Sequence, residues 1–419
     1  MLTKFIGKYI NTDDKRRLAS SFISLSVLRG FQFLIPLITL PYLVKTIGIE
    51  NYGRVNFALS LSVYCSAIIQ YGFGITATRE IARNRSNLIK LQKIYSATIS
   101  ASVILTLVSV ILFSLIVFSF QEFSNQLSLY YFTLMYVVFQ SLFPIWFFQG
   151  VERMKYITFL SLGTSVMYLL SLIILVTNKQ DYVLVPLLHA NAAFVTYIIS
   201  IIIIKRQFRV KYELPTFAEL KQVFKEGFNA FISQLAPNMY NNSSVFLLGI
   251  FANNTVVGFF SASAKLIDAI ISLAHILSNT FLPYLSRSLE NHVFFQRVMI
   301  GVGATLTGLT FITAEWLTEL LFSAENSEVS IYIRGLAVSV ISTFIFLTYG
   351  PNYLMLIGKD KIVRNIAVYT SLAFFAIALI IIPLWGIWGA IVTLSGARTA
   401  MGILQYIFFK KYRGKGQIL

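Results

Sequence analysis

Six charged residues stand within or at the edge of long apolar runs: Arg29, Lys265, Asp268, Glu315, Arg334 and Arg398. A charge at the centre of a bilayer costs about 2.5–3.5 kcal/mol on insertion scales, so one retained there points to function. Four of the six are basic, and a lining of that sign suits a polyanion. Arg29 lies roughly 13 Å in from the near end of its run and Arg398 close to the middle of its own, at about 1.5 Å per helical residue. Neither has an acidic neighbour in the same run. Lys265 and Asp268 fall three apart, on one helical face, where they can neutralise each other instead of meeting a ligand. Arg334 is about five residues from the end of its run, and snorkelling or an internal pair accounts for it equally well. Asp268, and after it Glu315, are the carboxylates placed to carry a coupling ion.

Other chemistries find few residues. Cys65 is the only cysteine, which excludes an internal disulfide or thiolate cluster, and His189, His275 and His292 lack the i, i+4 spacing of a helical metal site. No Gly-rich phosphate loop ending in Lys-Ser/Thr occurs, so ATP hydrolysis by this chain is not expected, and no metal or cofactor is called for.

The elements that position these charges must span lipid. Of 419 residues 57% are hydrophobic and 12% charged, with a mean hydropathy of +0.73. Apolar runs of about 20 residues match a helix crossing ~30 Å of hydrocarbon. Stretches such as 109–120 and 198–204 do not alternate as barrel strands must. Twelve spans are expected, near 20–44, 54–75, 93–119, 127–149, 156–177, 182–204, 226–250, 256–282, 296–321, 329–356, 362–383 and 386–409. Lys and Arg gather in alternate loops: with both termini inside, 27 of the 34 basic residues fall on the cytoplasmic side. The net charge of +17 follows from that topology and does not indicate nucleic acid.

The longest inside loop divides the spans six and six. The expected domains are an N-terminal six-helix lobe (1–204), a cytoplasmic linker (205–225) and a C-terminal six-helix lobe (226–419). Sliding one half on the other by 205 residues sets Gly53 against Gly258, each entering a span after a short outside turn. Repeated halves are common in transporters. Polar residues recur in the runs, among them Gln32, Asn56, Gln70, Asn279 and Asn352, and serve either ligand recognition or helix–helix bonding. Pro36, Pro41, Pro144, Pro237, Pro283 and Pro351 are either hinges or fixed kinks.

Four segments carry a family resemblance: Arg29 to Leu43 followed by Gly48-Ile-Glu-Asn-Tyr-Gly53; Tyr71-Gly-Phe-Gly with Thr78-Arg-Glu-Ile-Ala82; Trp146-Phe-Phe-Gln-Gly-Val-Glu-Arg-Met-Lys-Tyr156; and Tyr353-Leu-Met-Leu-Ile-Gly-Lys-Asp-Lys361. With the length and the span count, the chain resembles Wzx-type O-antigen flippases, of the polysaccharide biosynthesis protein family in the multidrug/oligosaccharidyl-lipid/polysaccharide exporter superfamily. The Trp146 segment is the most specific piece. The resemblance implies an all-α integral membrane protein of the bacterial inner membrane, with two six-helix lobes around a central cavity and alternating access. It further implies an undecaprenyl-diphosphate-linked oligosaccharide as cargo, passed from the cytoplasmic to the periplasmic leaflet and on to O-antigen polymerase machinery. Arg29, Arg398, Lys265 and Arg334 are then the candidate contacts to the diphosphate, since guanidinium takes such oxygens in pairs. Membrane lipids surround it, and H+ or Na+ is the expected coupling ion if a gradient drives it.

The main rival is a cation-coupled multidrug exporter of the same superfamily. Its acid usually lies in the first lobe, yet the first six runs hold no Asp or Glu. A lipid II flippase is a second rival, disfavoured by its usual fourteen spans. An integral membrane glycan polymerase ranks last, because the outside loops are too short to house a catalytic pair; an enzyme is not expected.

Overall fold

The computed structural model describes residues 13–286, 289, 292–322 and 328–413, and their side chains except those of 13–34, 36, 233–241, 283 and 321. Every regular element among the described residues is helical. The helices are α1 Asp13–Gln70, α2 Phe73–Asn84, α3 Leu88–Ser119, the one-turn α4 Gln121–Ser124, α5 Leu127–Leu142, α6 Ile145–Gly150, α7 Met154–Leu175, α8 Leu184–Gln207, α9 Phe217–Phe251, α10 Asn254–Leu285, α11 His292–Ile312, α12 Ala314–Phe322, α13 Val329–Tyr349, α14 Asp360–Trp385 and α15 Ile387–Tyr412.

Ten stretches among the described residues are long and apolar enough to cross a membrane. They coincide with the expected runs from 54–75 through 182–204 and from 256–282 through 386–409. The runs near 20–44 and 226–250 lie along α1 and α9, in part on side chains outside the described residues. Leu107, Ile111, Leu115 and Phe118 of α3 are all exposed, spaced three or four apart. A continuous apolar stripe of that length belongs against lipid. The chain is a multi-pass membrane protein.

Two breaks refine the expected spans. Gly48 (φ 80, ψ 159) interrupts α1 and so supplies the turn between the first two runs; that region of backbone space is essentially open to glycine alone. The run expected at 296–321 ends at Ile312, and Ala314 begins the separate α12. Glu315 therefore sits in the first turn of a helix, where the N-terminal dipole favours a carboxylate.

The chain forms two compact units. Unit 1 contains Ser62–Leu175 and Val183–Gln234, with the start of α1. Small hydroxyl residues join its helices: Ser62 donates to Thr133 at 2.9 Å, Ser141 to Ser66 at 3.0 Å, and Thr164 and Thr196 share a hydrogen bond of 2.6 Å. Such pairs satisfy polar groups that lipid cannot. The ring of His189 stacks between Tyr136 and Tyr168, at 3.8 and 4.1 Å. The Trp146 segment is a packing device. Trp146, Phe147 and Phe148 are buried with Tyr95, Ile81 and Ile157, and Thr78 donates to the Trp146 carbonyl at 3.2 Å.

Unit 2 contains Gln32–Leu61, Val176–Tyr182 and the chain from Leu235 onward. The two glycines that the 205-residue offset aligns meet face to face here. A Cβ on Gly53 would fall 1.8 Å from the Asn254 carbonyl oxygen, and one on Gly258 2.3 Å from that of Ile49. Only two glycines let these backbones cross so closely. Behind them α13 packs along α15 through paired hydroxyls: Ser339 donates to Ser395 at 3.1 Å, and Ser342 and Thr399 lie 2.8 Å apart. Pro144 follows the end of α5 in unit 1 and Pro351 the end of α13 in unit 2, the fourth expected span of each half. In the second case the break is a π turn, Gly350–Leu354.

Candidate functional site

Arg398 lies about 16 Å from the start of α15. Its flanking residues Ser395 and Thr399 hold that helix to α13, and Ser395 also donates to the Gly335 carbonyl at 3.2 Å. With that face committed, the Arg398 side chain turns to α10, where Nη2 donates to Asp268 Oδ1 at 2.7 Å. The local pairing that sequence allows between Lys265 and Asp268 does not form; the acid is taken from another helix.

Access to the pair is lopsided. The Arg398 side chain is 14% exposed and that of Asp268 54%. Arg398 Nη1 is buried and has no hydrogen-bond partner among the described residues. The more accessible end of the pair is therefore the carboxylate. Lys265, one turn before Asp268, is exposed and enters no ion pair among the described residues. Its Nζ lies 5.2 Å over the Tyr52 ring, a cation–π contact within unit 2. One helical turn thus presents a screened guanidinium, a carboxylate and a free ammonium together.

Arg334 has a different setting. It lies about 8 Å from the start of α13, donates through Nη2 to Glu315 Oε1 at 2.7 Å and through Nε to the Phe311 carbonyl at 3.3 Å. Its guanidinium also lies 5.5 Å over the Phe311 ring. Glu315 is 72% exposed. Two of the six sequence-derived residues thus form a helix-end brace between α12 and α13, apart from the Arg398 group. Arg29 is on α1, and its side chain lies outside the described residues.

A buried polar group that the sequence reading did not single out is Gln405. It is wholly buried, both its amide atoms lack a partner among the described residues, and it abuts Gly350 of the π turn. Asn352 of the same turn donates to Ser278 and to the Leu347 carbonyl, leaving its own Oδ1 unpartnered. Native proteins rarely leave such atoms unmet. A glutamine inside an apolar run is the same signal that picked out Asn352. A cavity of about 340 Å³ within unit 1 is lined by Glu80, Lys90, Lys93, Glu219 and Glu226, among others, and by none of the six candidates.

The fold matches those of solved membrane transporters. A lipid II flippase, MurJ, in an inward closed conformation matches with a TM-score of 0.73 over 93% of this chain and 87% of its own, at 13% identity. An inward-facing multidrug resistance MATE family transporter of the MOP superfamily matches at 0.64, over 92% of this chain and 99% of its own, also at 13% identity. Residues 18–289 match the model of the polysaccharide biosynthesis protein family, and the chain belongs to that family. A curated relative from Escherichia coli K12, named "Putative O-antigen transporter", is 28% identical over 316 residues, 75% of each chain. A relative of the same name from Shigella dysenteriae is 26% identical over 89% of this chain and 95% of its own. Both relatives are named as transporters and not as enzymes.

Proposed function

We propose that this protein is a flippase that moves undecaprenyl-diphosphate-linked O-antigen repeat units from the cytoplasmic to the periplasmic leaflet of the bacterial inner membrane. It does so by alternating access, with twelve spans in two six-helix lobes and both termini in the cytoplasm. Family membership and the names of the two relatives support the cargo. The observation that carries the mechanism is the Arg398–Asp268 pair with Lys265 one turn away.

The diphosphate is the constant part of such a cargo. Its oxygens compete with Asp268 for the Arg398 guanidinium, which can bind two at once, while Lys265 supplies a compact charge beside them. Asp268, once displaced, is free to take a proton or Na+, which links cargo binding to a gradient. Arg29, on α1, is a further basic candidate for the diphosphate. Arg334 and Glu315 act at the outer end, where Glu315 is the second ion-coupling candidate. The released repeat unit passes to O-antigen polymerase machinery.

The exposed carboxylate of Asp268 also favours a second reading, a cation-coupled multidrug exporter. Leaflet transfer in proteoliposomes separates the two. Purified protein should transfer fluorescent undecaprenyl-diphosphate oligosaccharide and leave a cationic dye in place, with gradient dependence lost in Asp268→Asn. Dye export without glycan transfer overturns the flippase reading.

A further inference from the structure

The connection between α8 and α9 exposes large apolar side chains among its charged ones. Tyr212, Leu214 and Phe217 are 51%, 88% and 82% exposed. Around them Lys205, Arg206, Arg209, Lys211, Lys221 and Lys225 are all exposed too.

The connection does not hang free. Arg209, at φ 57, turns the chain back on itself, Val210 is buried, and its N–H donates to the Ile204 carbonyl at 3.4 Å. As an irregular strand of chain outside any sheet, this stretch then runs along α3: the Glu213 N–H donates to Ser96 Oγ at 3.0 Å, and the Tyr212 hydroxyl lies 2.8 Å from Ser100 Oγ. At the start of α9 Thr216 and Glu219 cap each other, with the Thr216 N–H to Glu219 Oε2 at 2.8 Å and the Glu219 N–H to Thr216 Oγ1 at 3.3 Å. This is a capping box, and Lys93 lies 3.6 Å from the same carboxylate.

Two helices give the depth of this strand independently. Along α3, Ser100 is about 29 Å from the far end at Ser119; along α8, Ile204 is about 30 Å from Leu184, at 1.5 Å per residue. Both distances equal the ~30 Å thickness of a hydrocarbon core. Ser100 and Ile204 therefore mark the near boundary of the bilayer, and the strand bonded to them lies in its headgroup layer. Aromatic and aliphatic side chains at that depth enter the acyl boundary, and Lys and Arg beside a span attract anionic lipid.

We propose that the connection from Gln207 to Phe217 is a membrane-surface anchor. Tyr212, Leu214 and Phe217 dip into the leaflet, and Lys205, Arg206, Arg209 and Lys211 bind the phosphates of its anionic lipids. That this is the cytoplasmic leaflet rests on the topology proposed above; the anchor itself does not.

Cys65 is buried and is the only cysteine, so single-cysteine labelling at the surface is clean. Leu214→Cys, Phe217→Cys and Lys221→Cys variants carrying a nitroxide are placed in phosphatidylglycerol-containing nanodiscs, and collisions with oxygen and with a nickel chelate are compared. Oxygen should dominate at 214 and 217 and the chelate at 221. In pure phosphatidylcholine the oxygen excess at 214 should fall. Chelate dominance at 214 and 217 in anionic nanodiscs overturns the anchor, and an oxygen excess indifferent to lipid charge overturns the role of the basic residues. Separately, an impermeant maleimide added to intact spheroplasts should leave the K221C protein, whose position faces water, unlabelled. Labelling there overturns the cytoplasmic assignment while the depth result still judges the anchor.

Discussion

Arg398–Asp268 and Arg334–Glu315 are ion pairs of the same length, 2.7 Å, in very different surroundings. The first joins the middles of two long helices, with its guanidinium 14% and its carboxylate 54% exposed; the second braces helix ends, with 30% and 72%. A guanidinium stays charged when withdrawn from water and is costly there without an acceptor, so Asp268 offsets the burial of Arg398. Arg334 has the Phe311 carbonyl, the Phe311 ring and open surroundings in reserve. Distance alone therefore says little about what an ion pair is worth.

The sharpest way to break this contrast is to remove one partner of the deep pair at a time. Asp268→Ala strands a mostly buried cation and should cost toward the lower end of the ~3–5 kcal/mol of a broken buried pair, read as a fall in thermal unfolding temperature in detergent. Arg398→Ala leaves only a half-exposed carboxylate and should keep the fold while abolishing glycan transfer. Equal destabilisation by the two would show that the asymmetry of exposure has no energetic meaning.

A smaller effect is expected at the helix-end brace. Arg334→Ala should cost no more than about 1 kcal/mol, the range of exposed pairs, and leave glycan transfer measurable. A loss as large as that from Asp268→Ala would place Arg334 with the deep group after all.

The smallest effect belongs to the third carboxylate, Glu219, outside the spans. The Thr216 backbone N–H, then the Thr216 hydroxyl and Lys93, hold its carboxyl below the ordinary glutamate value. A lowered folded-state value means that the capping box stabilises the start of α9 above the ordinary glutamate range. That support is lost as pH falls through the lowered value. Hydrogen exchange of the amides at 217–220, corrected for intrinsic rate, should rise only at acid pH, and Glu219→Gln should flatten that response.

Much of the fold is legible from single runs of residues. Span length is a one-dimensional signal, because lipid tests each helix separately for its apolar length, and so is the alignment of Gly53 with Gly258. The Thr216–Glu219 capping box was equally open to reading, as T-x-x-E before an apolar helix. The break at Thr313 was not, since an apolar run carries no mark where a helix merely restarts.

The sequence by itself determined an all-helical membrane chain, its family, and a short set of charges within its apolar runs. Only the tertiary structure decided how those charges are shared. The spacing rule for helices sees partners three or four residues away, and by that rule Asp268 belonged to Lys265. Its actual partner is 130 positions along the chain, and they meet because hydroxyl pairs hold α15 to α13 and leave Arg398 facing α10. Helix-to-helix rotation and register set that contact, and neither is written in the apolar pattern of one helix.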